Sequence, residues 1–237
     1  MYYIKGESPS FIIKGDRMSN TTTLRQTHSD FGGGQTIFSK GAKDIEANLN
    51  SVVPLVMEQL KEDYPHYTIE HHKNIRKDSS FYDLDGYKLH NANANIKPDG
   101  GMITINGYPV FFGEVKNQGT NHLRKREGLP RQSMGNGIER IYKNIVEISH
   151  IMKNYDIMPY VIFVQGSDFH EGSSIIDRLS MLSPFNVLKT DETSVFIKIN
   201  ANWDDEPQTF NAAEMYDIVL RQCQESLAHY KARSLNV

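Results

Sequence analysis

A chain of 237 residues with 38% hydrophobic and 23% charged residues is long enough to bury one core, and its composition is that of an ordinary soluble domain. Its net charge of -3 excludes a protein that coats nucleic acid indiscriminately. The single cysteine, Cys223, excludes an internal disulfide framework or a multi-cysteine zinc site. No apolar run approaches the roughly 18 residues of a membrane span, and no leader-like segment opens the chain, so the expected compartment is the cytoplasm with no membrane partner.

Residues 1–36 are polar and glycine-rich, with Gly32-Gly33-Gly34 near their end, and read as a flexible N-terminal arm before a single domain over 37–237. Met18 is a second candidate start. Over residues 40–62, Ile45, Leu49, Val52, Val53, Val56, Met57 and Leu60 recur at helical spacing. Pro54 is expected to kink that helix or to begin a second one. Glu46 reads as a solvated helix-face acid rather than an accessory metal ligand. A strand is expected over Tyr67 to His72. Its adjacent histidines, His71 and His72, point to opposite faces and so do not share an ion. A polar connector follows over 73–95.

The next stretch organises the chain. Met102 to Ile105 and Tyr108 to Val115 are β-rich runs flanking Asn106-Gly107, the favoured two-residue hairpin turn. Side chains alternate along a strand, so Glu114 and Lys116 share one face and Val115 takes the other. Asp99 follows Pro98 just ahead of the first strand, and the hairpin carries it back beside Glu114. Two carboxylates that close repel unless a cation neutralises both. Mg²⁺ suits such a pair, because it is held by one or two carboxylates plus water and substrate phosphate oxygens.

Residues 119–135 lack apolar period and read as a functional loop. From Lys116 to Lys143 the chain carries Lys116, Arg124, Lys125, Arg126, Arg131, Arg140 and Lys143 against Glu127 and Glu139, seven minus two or +5. A basic track beside paired carboxylates is what phosphodiester binding requires. Asn136 to Glu139 reads as a capping box opening a helix to about Asn154. Ile138, Ile141, Tyr142, Ile145, Ile148 and Met152 form its expected buried stripe, with Glu139, Arg140, Lys143, Asn144 and Glu147 off it. Pro159 to Val164 reads as a buried strand, completing a βαβ unit with parallel strands. A short helix over Ser174 to Leu182, a strand over Ser194 to Ile199 and a long helix over Ala212 to Arg233 follow. The fold class is α/β, a mixed sheet with helices on both faces.

Asp99 followed by a strand ending Glu114-x-Lys116 resembles the PD-(D/E)xK nuclease superfamily. Ile96-Lys97-Pro98-Asp99-Gly100-Gly101, Glu114-x-Lys116-x-Gln118-Gly119, Gly135-Asn136-Gly137-Ile138-Glu139-Arg140, and Pro159-Tyr160-Val161 with Gly166-Ser167 together resemble the EcoRI family of type II restriction endonucleases, in order and at comparable spacing. The similarity runs from about Phe31 to Leu182 and fades beyond. The resemblance implies five strands and Mg²⁺-dependent cleavage of double-stranded DNA by a homodimer at a palindrome with an AATT core, leaving 5′ overhangs. It also implies a cognate adenine methyltransferase in the same system. Asp99 and Glu114 become metal ligands with the Val115 carbonyl, and Lys116 the catalytic cation. The DNA-binding set is Met134, Asn136, Gly137, Glu139 and Arg140 at the bases, with Arg124, Arg131, Lys143 and Arg178. Met181 stands where a second recognition arginine is found in EcoRI, so the outer base pair is left open. Competing readings are a repair or transposition nuclease of the same superfamily and a non-catalytic DNA-binding protein.

Overall fold

The computed structural model describes residues 37–73, 75, 97–119, 128, 136–152, 155–178, 195–202 and 205–233. All of them lie in one compact unit, Ile37–Val237. The expected arm over 1–36 and most of the basic loop, with Arg124, Arg131 and Met134, lie outside the described residues. In chain order the elements are α1 (Ile37–Asp63), β1 (Ile69–His72), β2 (Gly101–Ile105), β3 (Tyr108–Asn117), α2 (Asn136–Met152), β4 (Tyr160–Gln165), β5 (Val195–Ile197) and α3 (Ala212–Ala232). The strands form one five-stranded sheet in the order β1-β2-β3-β4-β5. The first three run antiparallel to one another, and β3, β4 and β5 are parallel. This is the mixed α/β sheet that the alternation and the βαβ pattern predict.

The hairpin turn forms because Asn106 and Gly107 both accept positive φ, at 48° and 81°, as the tightest right-twisted hairpin requires. Asn106 also anchors β1: its side chain accepts from the Thr68 N–H at 2.7 Å and its own N–H donates to the Thr68 carbonyl at 2.8 Å. A register shift between Ile103 and Thr104 lets β3 absorb Pro109, which cannot donate to the ladder.

Two helical layers cover the sheet. A side chain at Gly113 would project onto Phe111 and onto Leu49 of α1, so α1 lies over the face shared by residues 111, 113 and 115. α3 packs on α1 and on β3. On the other face, with residues 112, 114 and 116, α2 reaches Glu114 through Asn144. Ile45, Leu49, Val52, Val53, Val56 and Leu60 of α1 are buried, as are Ile138, Ile141, Ile145, Ile148 and Met152 of α2, while β4 is buried at every position. Cys223 is buried in α3, where desolvation pushes its thiol well above the ordinary range.

Several boundaries differ from expectation. α1 runs unbroken through Pro54. Of the two outcomes expected there a second helix is excluded, because burial of the stripe on both sides outweighs one missing backbone hydrogen bond. Tyr142 was expected in the buried stripe but is half exposed; it sits at the margin of the apolar arc, where a phenol is as well placed in water. α2 (Asn136–Met152) takes in Asn136 as its first helical residue, and residues 153–154 at its expected end lie outside the described residues. β1 and β5 are shorter than their apolar runs, and only residues 174–178 of the expected short helix are described.

One buried hydrogen bond joins α3 to the start of the central strand. The Tyr230 hydroxyl donates to the Pro109 carbonyl at 2.6 Å inside an aromatic cluster with Tyr108 and Tyr155. Replacing Tyr230 by Phe keeps the ring and leaves that carbonyl buried and unpaired, a loss of about 1 to 3 kcal/mol. Urea unfolding monitored by circular dichroism is expected to show this loss; a midpoint equal to wild type would mean that water reaches Pro109.

Candidate active site

Glu114 lies near the end of β3, opposite Ile162 of β4 in register. Asp99 belongs to the turn that leads into β2, and the pairing of Gly101 with Gly113 brings the two acids together. They are joined reciprocally. The Asp99 N–H donates to Glu114 Oε2 at 3.3 Å, and the Val115 N–H donates to Asp99 Oδ2 at 3.2 Å. Close backbone approach makes this possible: Gly100 N–H donates to the Gly113 carbonyl at 2.9 Å, and a Cβ at Gly100 would stand 2.7 Å from Leu49 Cδ2.

The Lys116 ammonium sits at the focus of this arrangement. It donates to Glu114 Oε1 and, at 3.0 Å, to the Val115 carbonyl, with Asp99 Oδ2 at 3.6 Å. Three oxygens of the kind that bind hard cations therefore converge on one positive group. Among the described residues no three His, Cys, Asp or Glu side chains converge on one point. A divalent ion here would rest on two carboxylates, one carbonyl and water, an all-oxygen set that fits Mg²⁺. His71 and His72 are committed elsewhere: their Nε2 atoms face the Gly100 carbonyl at 3.0 Å and Thr104 Oγ1 at 3.1 Å. Glu46 is exposed on α1.

The two acids differ in environment. The Glu114 side chain is only 4% exposed, against 30% for Asp99 and 19% for Lys116. Desolvation raises the Glu114 pKa above its ordinary 4.5, the Lys116 charge opposes that rise, and the Asp99 charge adds to it. Asn144 of α2 donates from Nδ2 to Glu114 Oε1 at 2.9 Å. Tyr160 of β4, paired with Phe112 and fully buried, lies on the same face. Its phenol is held well above 10.0 by burial first and by the Glu114 charge second. The Asn144 amide faces that phenol too loosely to satisfy it, leaving the hydroxyl without a hydrogen bond of good geometry.

Around this centre the expected DNA-contacting residues are partly in view. Asn136 and Gly137 open α2, and Glu139 and Arg140 are exposed on its first turns. Lys143 is exposed and pairs with Glu147 at 3.1 Å. Arg178 is exposed at the end of the helical turn 174–178. Sequence patterning had placed Asn144 merely off the buried stripe. Its contact with Glu114 depends on how α2 lies across β3, and nothing in the local sequence encodes that.

The raised Glu114 pKa makes a pH prediction for the metal-free protein. The folded state holds this proton more tightly than the unfolded chain does. The contribution of Glu114 is therefore fully present below the unfolded value and is lost as pH rises through the folded one. In EDTA, Glu114→Gln should gain stability relative to wild type as pH increases from 4.5 to 7.5. A difference that shrinks over that range would show the Lys116 charge outweighing desolvation.

Comparison with known proteins covers most of the chain. The family described as restriction endonuclease EcoRI matches residues 31–181. The type II restriction enzyme EcoRI of Escherichia coli is 28% identical over 238 aligned residues, covering 84% of this chain and 86% of that protein. The similarity thus extends past the span where it was expected to fade. The type II restriction enzyme RsrI of Cereibacter sphaeroides is 29% identical over 166 residues, 62% of this chain and 60% of its own. The matched span takes in the Asp99, Glu114 and Lys116 hairpin and the whole of α2, and on that evidence the chain belongs to the EcoRI family of restriction endonucleases.

Proposed function

We propose that the chain is a type II site-specific deoxyribonuclease that uses Mg²⁺ to hydrolyse double-stranded DNA at a palindrome with an AATT core, leaving 5′ overhangs. The observation that carries this reading is the convergence of Asp99 Oδ2, Glu114 Oε1 and the Val115 carbonyl on the Lys116 ammonium. Asp99, Glu114 and the Val115 carbonyl would hold the ion, which when bound would acidify water and stabilise charge on the phosphate and the leaving oxygen. Lys116 would offset phosphate charge and orient or deprotonate the attacking water. The burial of Glu114 keeps bulk water from diluting these interactions.

Recognition is assigned to Met134, Asn136, Gly137, Glu139 and Arg140. Asn pairs with the N6 and N7 edge of adenine, Glu accepts from an exocyclic amine, and Arg donates to purine N7. Arg124, Arg131 and Lys143 serve the phosphate backbone, and Arg178 takes the place of a family recognition arginine, with the outer base pair left open. One subunit offers one hydrolytic centre for two strands, so the working form is a homodimer on a symmetric site. The nuclease domain spans 37–237 behind an arm at 1–36, acts in the cytoplasm, and is accompanied by a cognate adenine methyltransferase that protects host DNA.

Digestion of a known plasmid with Mg²⁺, followed by sequencing of the fragment ends, is the direct test. Blunt ends or scattered cuts would instead favour a repair-type nuclease. Asp99→Ala or Lys116→Ala should abolish cutting. Both variants should keep sequence-specific binding in Ca²⁺. Wild-type turnover in Asp99→Ala would sink the assignment.

Adenine N6 methylation within the core is expected to block cleavage, because the methyl group removes a donor proton and fills contact space. Each lost bidentate contact costs about 1 to 3 kcal/mol, and the palindrome doubles it. Equal cutting rates on methylated and unmethylated duplexes would return Asn136 and Glu139 to a purely helical role.

A further inference from the structure

Asn144 is the one residue of α2 shown donating a side-chain hydrogen bond to the acidic pair, at 2.9 Å from Glu114 Oε1. Only its NH₂ group can face a carboxylate; the amide oxygen in that place would be repelled. The orientation is therefore fixed by Glu114 itself. The carboxylate is almost wholly buried, and its two oxygens are held by different elements. Oε2 accepts from the Asp99 N–H of the turn before β2, while Oε1 accepts from Asn144 and from Lys116. Of these donors Lys116 is a flexible chain with its own catalytic task. Asn144 stands on a helix whose buried isoleucines, Ile141, Ile145 and Ile148, lock it against the sheet.

We propose that Asn144 is a positioning residue that sets the rotation of the Glu114 carboxylate, and with it the affinity of the site for a divalent cation. The proposal rests on the reading of Glu114 as a metal ligand. With a cation held by the carboxylates, Asn144 would be the donor on a rigid element that keeps Oε1 in place. A ligating carboxylate needs such an outer partner because an unrestrained one loses rotational entropy on binding. The fully buried Tyr160 hydroxyl, on the same face of the sheet, makes no hydrogen bond of good geometry of its own, so Asn144 is the rigidly held side-chain donor on Glu114 Oε1.

The test uses Tb³⁺ bound to the full-length, DNA-free protein, excited through tyrosine and competed with Mg²⁺; Tyr160 beside Glu114 supplies a local sensitiser. Asn144→Leu keeps the branched side-chain shape at a larger volume, removes the donor and favours the helix. Asn144→Ala removes the donor without added bulk. Both should weaken Tb³⁺ and Mg²⁺ binding by about tenfold to a hundredfold, the range for lost outer-shell partners. Their thermal melts in EDTA should stay close to wild type. Glu114→Gln is the reference and should weaken binding further. If Glu114→Gln weakens the ion and both Asn144 variants bind it as wild type does, the positioning role is wrong while the metal site stands. If Glu114→Gln has no effect either, the metal reading itself falls. Weakened binding matched by an equal collapse of the melt in both Asn144 variants would make Asn144 a structural residue and overturn the proposal.

Discussion

The reciprocal pair between Asp99 and the end of β3 is the constraint on which the site depends. One N–H from each side reaches a carboxylate on the other, and the resulting knot places two acids where neither can relax away. Burying Glu114 there is unfavourable unless a positive charge accompanies it. In the metal-free protein that charge is Lys116, coordinated by the same three oxygens that suit a hard cation. Stability and chemistry thus make competing demands on one carboxylate, and the positive group that satisfies it decides which demand is met.

The surrounding fold divides these tasks between its two layers. On one face, α1 and α3 supply packing: Leu49 fills the space left by Gly100 and Gly113, and Tyr230 hooks onto Pro109. On the other, α2 is at once packed on the sheet and in contact with the acidic pair. Its isoleucines are buried, Asn144 touches Glu114, and Glu139 and Arg140 remain exposed on its first turns. A rigid helix that carries both sets of residues fixes the distance between them more closely than a loop could.

The parallel β4 strand completes the arrangement from below. It carries Tyr160 beside Phe112, Ile162 beside Glu114 and Val164 beside Lys116, so the face of β3 that bears Glu114 and Lys116 has apolar neighbours on β4 except at one phenol. That phenol lies within reach of the Glu114 charge and lacks a good hydrogen bond of its own. An apolar backing lowers the local dielectric and strengthens each charge contact in front of it.

Much of this was legible in the sequence. The Asn106-Gly107 turn, the Glu114-x-Lys116 alternation and the isoleucine period of α2 follow from two-residue and 3.6-residue repeats, which are local properties of the chain. The five-strand count came with the family resemblance rather than from periodicity. What the sequence misjudged, it misjudged at a margin: Tyr142, expected in the buried stripe, is half exposed. At Pro54 it had left a kink or a second helix open, and packing on both sides of the proline excluded the second helix. Three features belonged to the tertiary structure alone: the hold of Asn144 on Glu114, the burial that separates Glu114 from Asp99, and the seating of Lys116 among three oxygens. Each depends on distances between segments far apart in the chain, and those distances exist only once the helices have docked on the sheet.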